Sequence, residues 1–110
     1  MSFENDLHDW YIDSIELRQS EITLLVHLYE ARRRITFKGV TRCLLDNLLM
    51  TNIIYAAKII SIEDEPESYT RLEASYPAKW SGTAPKILSI NGAVGLDGII
   101  EFSDLEVVDV

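Results

Sequence analysis

The chain has 110 residues, 47% of them hydrophobic and 25% charged, and eighteen acids against ten bases give a formal charge of −8. That length suits one domain with one core, and the absence of low-complexity tracts and internal repeats predicts a single globular domain over residues 1–110. The charge disfavours phosphate backbones, so nucleic acid is excluded as an expected partner.

The start MSFENDLHDW is acidic and mixed, unlike a secretory leader. The longest apolar run, IIYAAKII, contains Lys58 and is far too short to span a bilayer, so no membrane role is expected. Cys43 is the single cysteine, which rules out a disulfide within the chain and makes a reducing cytoplasm the expected compartment. Residues 1–55 hold eight acids and six bases, residues 56–110 ten acids and four bases, so the second half carries −6 of the −8. Such acidity serves solubility first, and its concentration in one half suits a basic protein partner.

LHDWY at 7–11 opens the patterned part of the chain and raises the question of a His8–Asp9 acid-base pair. Such chemistry needs a third group and a pocket, and the bland reading is the polar approach to a strand. WYIDSIELR has strand composition, and the polar RQSE after it reads as a hairpin connection to EITLLVHLYE. In that second strand Ile22, Leu24, Val26 and Leu28 share one face, with Thr23, Leu25, His27 and Tyr29 on the other. RITFKGV gives a third strand with Ile35 and Phe37 inward, Thr36 and Lys38 outward, and Gly39 marking a bulge or a close backbone approach. The triplet Arg32, Arg33 and Arg34 at its start reads as a solvated edge that blocks sheet-to-sheet aggregation.

TRCLLDNLLM fits a strand or a helical turn, whereas the long, β-branched NIIYAAKIISIE predicts a central strand. EDEPESYTRLEASYP changes character: Pro66 suits the first helical position, acids precede it, Tyr69, Leu72 and Tyr76 recur at helical spacing, and Glu67 and Arg71 stand four apart. One short helix over 66–76 is predicted. AKWSGTAP reads as a loop, and KILSI and GIIEFSDLEVVDV as strands around the turn-prone NGAVGLDG. The last segment breaks its alternation at Ser103 and Asp104, through a bulge or a division into two strands. The expected fold is mainly β: an antiparallel β-sandwich or open barrel with one helix before the last strands.

His8, Asp9, His27 and Cys43 show no ligand spacing, and Cys43 sits in an apolar run where a lone cysteine is usually an inert small hydrophobe. The glycines of NGAVGLDG precede a strand rather than a helix, against a dinucleotide loop. No catalytic residue, metal or cofactor is therefore expected, and the chain is not read as an enzyme. The aromatic residues suit a sugar or small-molecule groove, with Trp80 in its hydrophilic loop the member expected at the surface.

The segments HDWYIDSIEL, ITLLVHLYE, RITFKGV and NIIYAAKI, across residues 7–62, resemble small bacterial immunity proteins of contact-dependent growth-inhibition and related polymorphic toxin systems. The resemblance implies a cytoplasmic inhibitor that binds a cognate toxin, often a nuclease, and covers or distorts its active site. It transfers no site residue. A nuclease is basic where it holds phosphates, so a carboxylate-rich surface is its natural complement. On charge density the expected partner-binding residues are Glu63, Asp64, Glu65 and Glu67, with Tyr69 and Trp80 as aromatic anchors. The helix dipole also explains acids at a helix start. The alternative reading is a small-ligand or carbohydrate-binding module.

Overall fold

The computed structural model describes residues 7–60, 66–75 and 85–110, apart from the side chains of residues 68, 69 and 73–75. The elements run β1 (Tyr11–Arg18), β2 (Glu21–Leu28), β3 (Ala31–Lys38), β4 (Arg42–Asp46), β5 (Ile53–Ile60), α1 (Pro66–Ser75), β6 (Lys86–Val94), β7 (Asp97–Phe102) and β8 (Asp104–Asp109). All the strand pairs are antiparallel, in one sheet of order β4-β7-β6-β5-β1-β2-β3-β8. The predicted mainly β architecture is the one observed, and among the described residues one helix precedes the last strands. Among the described residues no helix is long and apolar enough to cross a membrane.

The first three strands form a meander. Two-residue turns join them, with Arg18 opposite Glu21 and Leu28 opposite Ala31. Gln19 and Tyr29 open these turns at φ 52° and 54°, the left-handed region that matches the twist of a tight hairpin at some cost to a residue with a side chain. In β2, Ile22, Leu24 and Val26 are buried as their alternation predicts, and Ile35 and Phe37 do the same in β3.

β1 is less regular, and its sequence shows why. Trp10 and Ile12 have even numbers, Ile15 and Leu17 odd ones, so strict alternation would put the two pairs on opposite faces. A bulge at Asp13, between Ile12↔Val26 and Ser14↔Leu25, restores the phase and sets Ile15 opposite Leu24 on the core face.

β3 and β4 are two arms of one bent run, as are β7 and β8. The ladder pairs Lys38 with Asp104 and resumes, one residue out of step, with Arg42 opposite Glu101. At this corner Gly39 has φ 63°, and a Cβ there would collide with the Ser103 side chain, which is the close approach its sequence position suggested. Ser103 N–H donates to the Lys38 carbonyl and Thr41 N–H to the Glu101 carbonyl, holding the bend. The break expected at Ser103 and Asp104 is thus a division into two strands. In the neighbouring hairpin the turn is shorter than NGAVGLDG suggests, because β6 runs on to Val94 and only Gly95 and Leu96 lie between β6 and β7.

One expectation is corrected. The arginine triplet does not guard a free sheet edge, since β3 lies between β2 and β8. Arg33 occupies an inward register position, its guanidinium 4.8 Å from the centre of the buried Trp10 ring and its Nε 3.3 Å from Asp109. Arg32 and Arg34 are exposed on the outer face.

The main core gathers Trp10, Leu24, Ile35, Phe37, Leu88, Ile100 and Phe102 with their neighbours, Phe37 and Phe102 meeting edge to face at 5.1 Å. On the other side of β7 a smaller cluster joins Ile60, Ile87 and Ile99 to Leu72 of α1. Burial of Leu72 contributes roughly 2 kcal/mol toward docking the helix.

Candidate interaction site

The connection between β4 and β5 exposes three consecutive apolar side chains. Leu48, Leu49 and Met50 retain 63%, 52% and 101% of their reference exposure. A loose loop explains such exposure easily, but this one is tied down. Asn52, itself buried, accepts hydrogen bonds at Oδ1 from Leu49 N–H (3.1 Å) and Leu96 N–H (3.0 Å), while its Nδ2 donates to the Leu49 carbonyl (2.8 Å). Asn47, at φ 58°, donates from Nδ2 to the Gly95 carbonyl at 3.1 Å. Gly95 has φ 78°, and any Cβ there would strike Asn52 Oδ1 and the Thr51 carbonyl. The loop is therefore fastened to the β6–β7 turn, and its apolar residues are displayed in a fixed geometry.

The loop lies along a gap in the sheet. β1 and β5 meet only around Tyr11↔Ile53, with Ile12 N–H donating to the Asn52 carbonyl at 2.8 Å. Beyond that point, among the described residues, Asp13 is the unpaired bulge and positions 14–18 of β1 pair with β2 alone. A groove of about 270 Å³ separates this edge from the loop, lined by Ile12, Asp13, Ser14, Ile15, Leu48, Leu49, Met50 and Asn52.

Asp13 turns from that groove onto the outer face. Both of its carboxylate oxygens lie 2.7 Å from His27 Nδ1. Because a carboxylate only accepts, Nδ1 is the donor of this contact. Tyr11 stacks on His27 at 5.0 Å and 18°. One shallow groove beside them, about 420 Å³, is lined by Asp9, Tyr11, His27, Leu28, Tyr29 and Ile53. Another, about 240 Å³, brings Asp13 and Leu25 together with Arg32 and Arg34.

The other residues singled out in the sequence are dispersed. In HDW, Leu7 and Trp10 are buried while His8 and Asp9 remain exposed. His8 Nδ1 donates to the Tyr55 carbonyl at 2.7 Å, and Asp9, at φ 69°, turns the chain into β1. The pair stands 3.5 Å apart as a surface contact that clasps the start of β1 to β5. Cys43 lies on β4, far from both histidines in strand order; its side chain is exposed, against the small buried hydrophobe that its apolar run suggested, while desolvation by its neighbours raises its thiol pKa. Among the described residues no three His, Cys, Asp or Glu side chains form a metal-binding group.

Of the expected partner-binding residues, Glu67 is exposed in the first turn of α1, beside a polar pocket that also includes Asp46, Arg71 and Asp97. Arg71 reaches Asp46 of β4 at 3.0 Å, linking helix to sheet. Glu63, Asp64, Glu65, Trp80 and the side chain of Tyr69 lie outside the described residues.

A buried ion pair escaped the sequence reading. Arg42 donates from Nε (3.0 Å) and Nη2 (2.6 Å) to the two carboxylate oxygens of Glu101, and Thr41 Oγ1 donates to the same carboxylate at 2.6 Å. Both charged side chains are almost fully enclosed. The cross-strand register makes the pair, across 59 positions of sequence, so no local pattern announces it. No protein-family model matches this sequence, and comparison with curated proteins and with solved structures returns no match.

Proposed function

We propose that this chain is a cytoplasmic immunity-type protein that binds a cognate bacterial toxin and neutralises it stoichiometrically. The observation that carries the reading is the Asn52-fastened loop, which holds Leu48, Leu49 and Met50 in solvent beside an open sheet edge. Rigid apolar residues at a surface lose little entropy on binding and are costly to leave uncovered, which favours a protein partner. The −8 charge supplies the complement to a basic toxin, a nuclease above all, and speeds encounter with it. Glu67, Asp46 and Asp97 around the α1 pocket belong to this acidic surface. Glu63, Asp64, Glu65, Tyr69 and Trp80 remain part of the proposed interface on charge and composition. The test is to read the neighbouring genes for a toxin and, where one is encoded, to co-express it: the wild-type chain protects the cells and Met50→Asp reduces protection at equal protein level. Equal protection by the two proteins would move the interface away from this loop.

A second reading is a small-ligand or carbohydrate module, favoured by the groove in which Tyr11, Tyr29 and His27 surround Asp9. Calorimetric titration with a panel of mono- and oligosaccharides decides it: saturable binding lost in Tyr11→Ala supports the module, and no heat from any sugar rejects it.

A further inference from the structure

In a chain with eighteen acids and ten bases a cation readily finds a carboxylate, and Arg18, Arg33, Lys38, Arg42 and Arg71 each do. Arg32 and Arg34 do not. Among the described residues no ion pair, hydrogen bond or ring contact engages either guanidinium. They guard no edge either, since β3 lies between β2 and β8. Two positions apart on one strand, they stand on the same outer face, about 7 Å from each other along the backbone. Both line one groove of about 240 Å³. The acids around it are engaged elsewhere, Asp13 with His27 and Asp109 with Arg33. The rest of the surround is apolar. Leu25 and Val108 stand across from Arg34 on its two sides, and Val110 lies beside Arg32, its N–H donating to the Arg32 carbonyl at 3.0 Å. All three apolar side chains are exposed.

We propose that the Arg32–Arg34 groove binds a small organic anion, a carboxylate or phosphate head on a short apolar body. Like charges this close repel, and one oxyanion held between two guanidinium forks removes the repulsion while accepting charge-assisted hydrogen bonds from both. The body of the ligand then covers Leu25, Val108 and Val110. The groove is smaller than the roughly 300–1,000 Å³ of pockets that take drug-sized molecules, which limits the ligand to a small one. An acidic protein or a second copy of this chain fits less well, because it would bring an extended negative field against the −8 of the whole molecule. A small anion brings one or two charges to a local excess of cation. None of these residues belongs to the Leu48–Met50 loop, so the site does not depend on toxin binding.

The experiment uses the full chain, labelled with nitrogen-15, at low ionic strength, with benzoate and phenyl phosphate as the probes. Saturable shifts are expected at the Arg32 and Arg34 side-chain Nε and at the amides of Leu25 and Val108, with a Kd of about 1 mM or tighter for at least one probe. Arg32→Gln and Arg34→Gln, both at exposed positions, should each weaken binding about tenfold or more while the spectrum stays folded. Lys58→Gln, which removes an exposed cation elsewhere, should bind as the wild type does. Inorganic phosphate, which has no apolar body, should bind about tenfold more weakly than phenyl phosphate. Unchanged binding in both arginine variants, or no saturation by either probe, would overturn the proposal. Equal loss in Lys58→Gln would reduce the effect to net charge, and benzylamine binding as tightly as benzoate would reduce it to the aromatic ring; either result overturns the anion site. Shifts at Leu25, Arg34 and Val108 that follow protein concentration and ignore both probes would assign the face to a second copy instead.

Discussion

Asn52→Ala tests whether the exposed loop is held or merely present. The substitution removes three hydrogen bonds, from Leu49 N–H, from Leu96 N–H and to the Leu49 carbonyl. Leu96 is buried, so its orphaned N–H costs about 1–3 kcal/mol, and the half-buried Leu49 groups, partly rescued by water, add about 1 kcal/mol. The sum is about 3 kcal/mol, a large share of the roughly 5–15 kcal/mol that keeps a domain folded. With a urea m-value of about 1.5 kcal/mol/M, the midpoint should fall by about 2 M. Urea titration followed by tryptophan fluorescence measures it, and amide exchange at Leu49 and Leu96 should quicken together. A midpoint shift below about 0.3 M, with both amides exchanging as before, would refute the claim that Asn52 fixes the loop.

Glu101→Leu should destabilise the fold by about 3–5 kcal/mol, because it removes the bidentate carboxylate from a buried guanidinium, and adding Arg42→Met should recover most of that loss in the same urea assay. Gly95→Ala should lower the thermal midpoint markedly, since its backbone is left-handed and its Cβ would meet Asn52, whereas Ala93→Gly in the neighbouring strand should have a small effect. Cys43, though exposed, should react with iodoacetamide more slowly than free cysteine at pH 8, because desolvation by its neighbours favours the neutral thiol, and the rate should climb as pH rises toward the raised pKa. A Cys43 rate equal to that of free cysteine would contradict that assignment.

Much of the fold was legible in the sequence because its period-two alternation is strong where one face is buried. Ile22, Leu24 and Val26, then Ile35 and Phe37, lie where that alternation puts them. Gly39 and the Ser103–Asp104 break marked the two halves of one corner, yet only the tertiary pairing reveals that they meet. The phase jump from Ile12 to Ile15 announces the Asp13 bulge, which strand composition alone does not show. The candidate site was harder to find. DNLLMTN does carry a cue, two asparagines bracketing an apolar triplet, since Asn tolerates left-handed turns and bonds nearby backbone. Its exposure depends on the distant Leu96 and Gly95, which local reasoning does not reach. The Arg32–Arg34 triplet shows the same limit: the strand start was right, but the presence of β8 on its far side decides that it is no edge.

Binding of a protein toxin is proposed to run through the Asn52-held apolar loop. The decisive measurement is isothermal titration of the purified chain with a catalytically inactivated toxin, where one is encoded beside it. A one-to-one complex is expected, weakened about a hundredfold by Met50→Asp and weakened further by higher salt. A complex of unchanged affinity in Met50→Asp, or no complex at all with the wild-type chain, would contradict it.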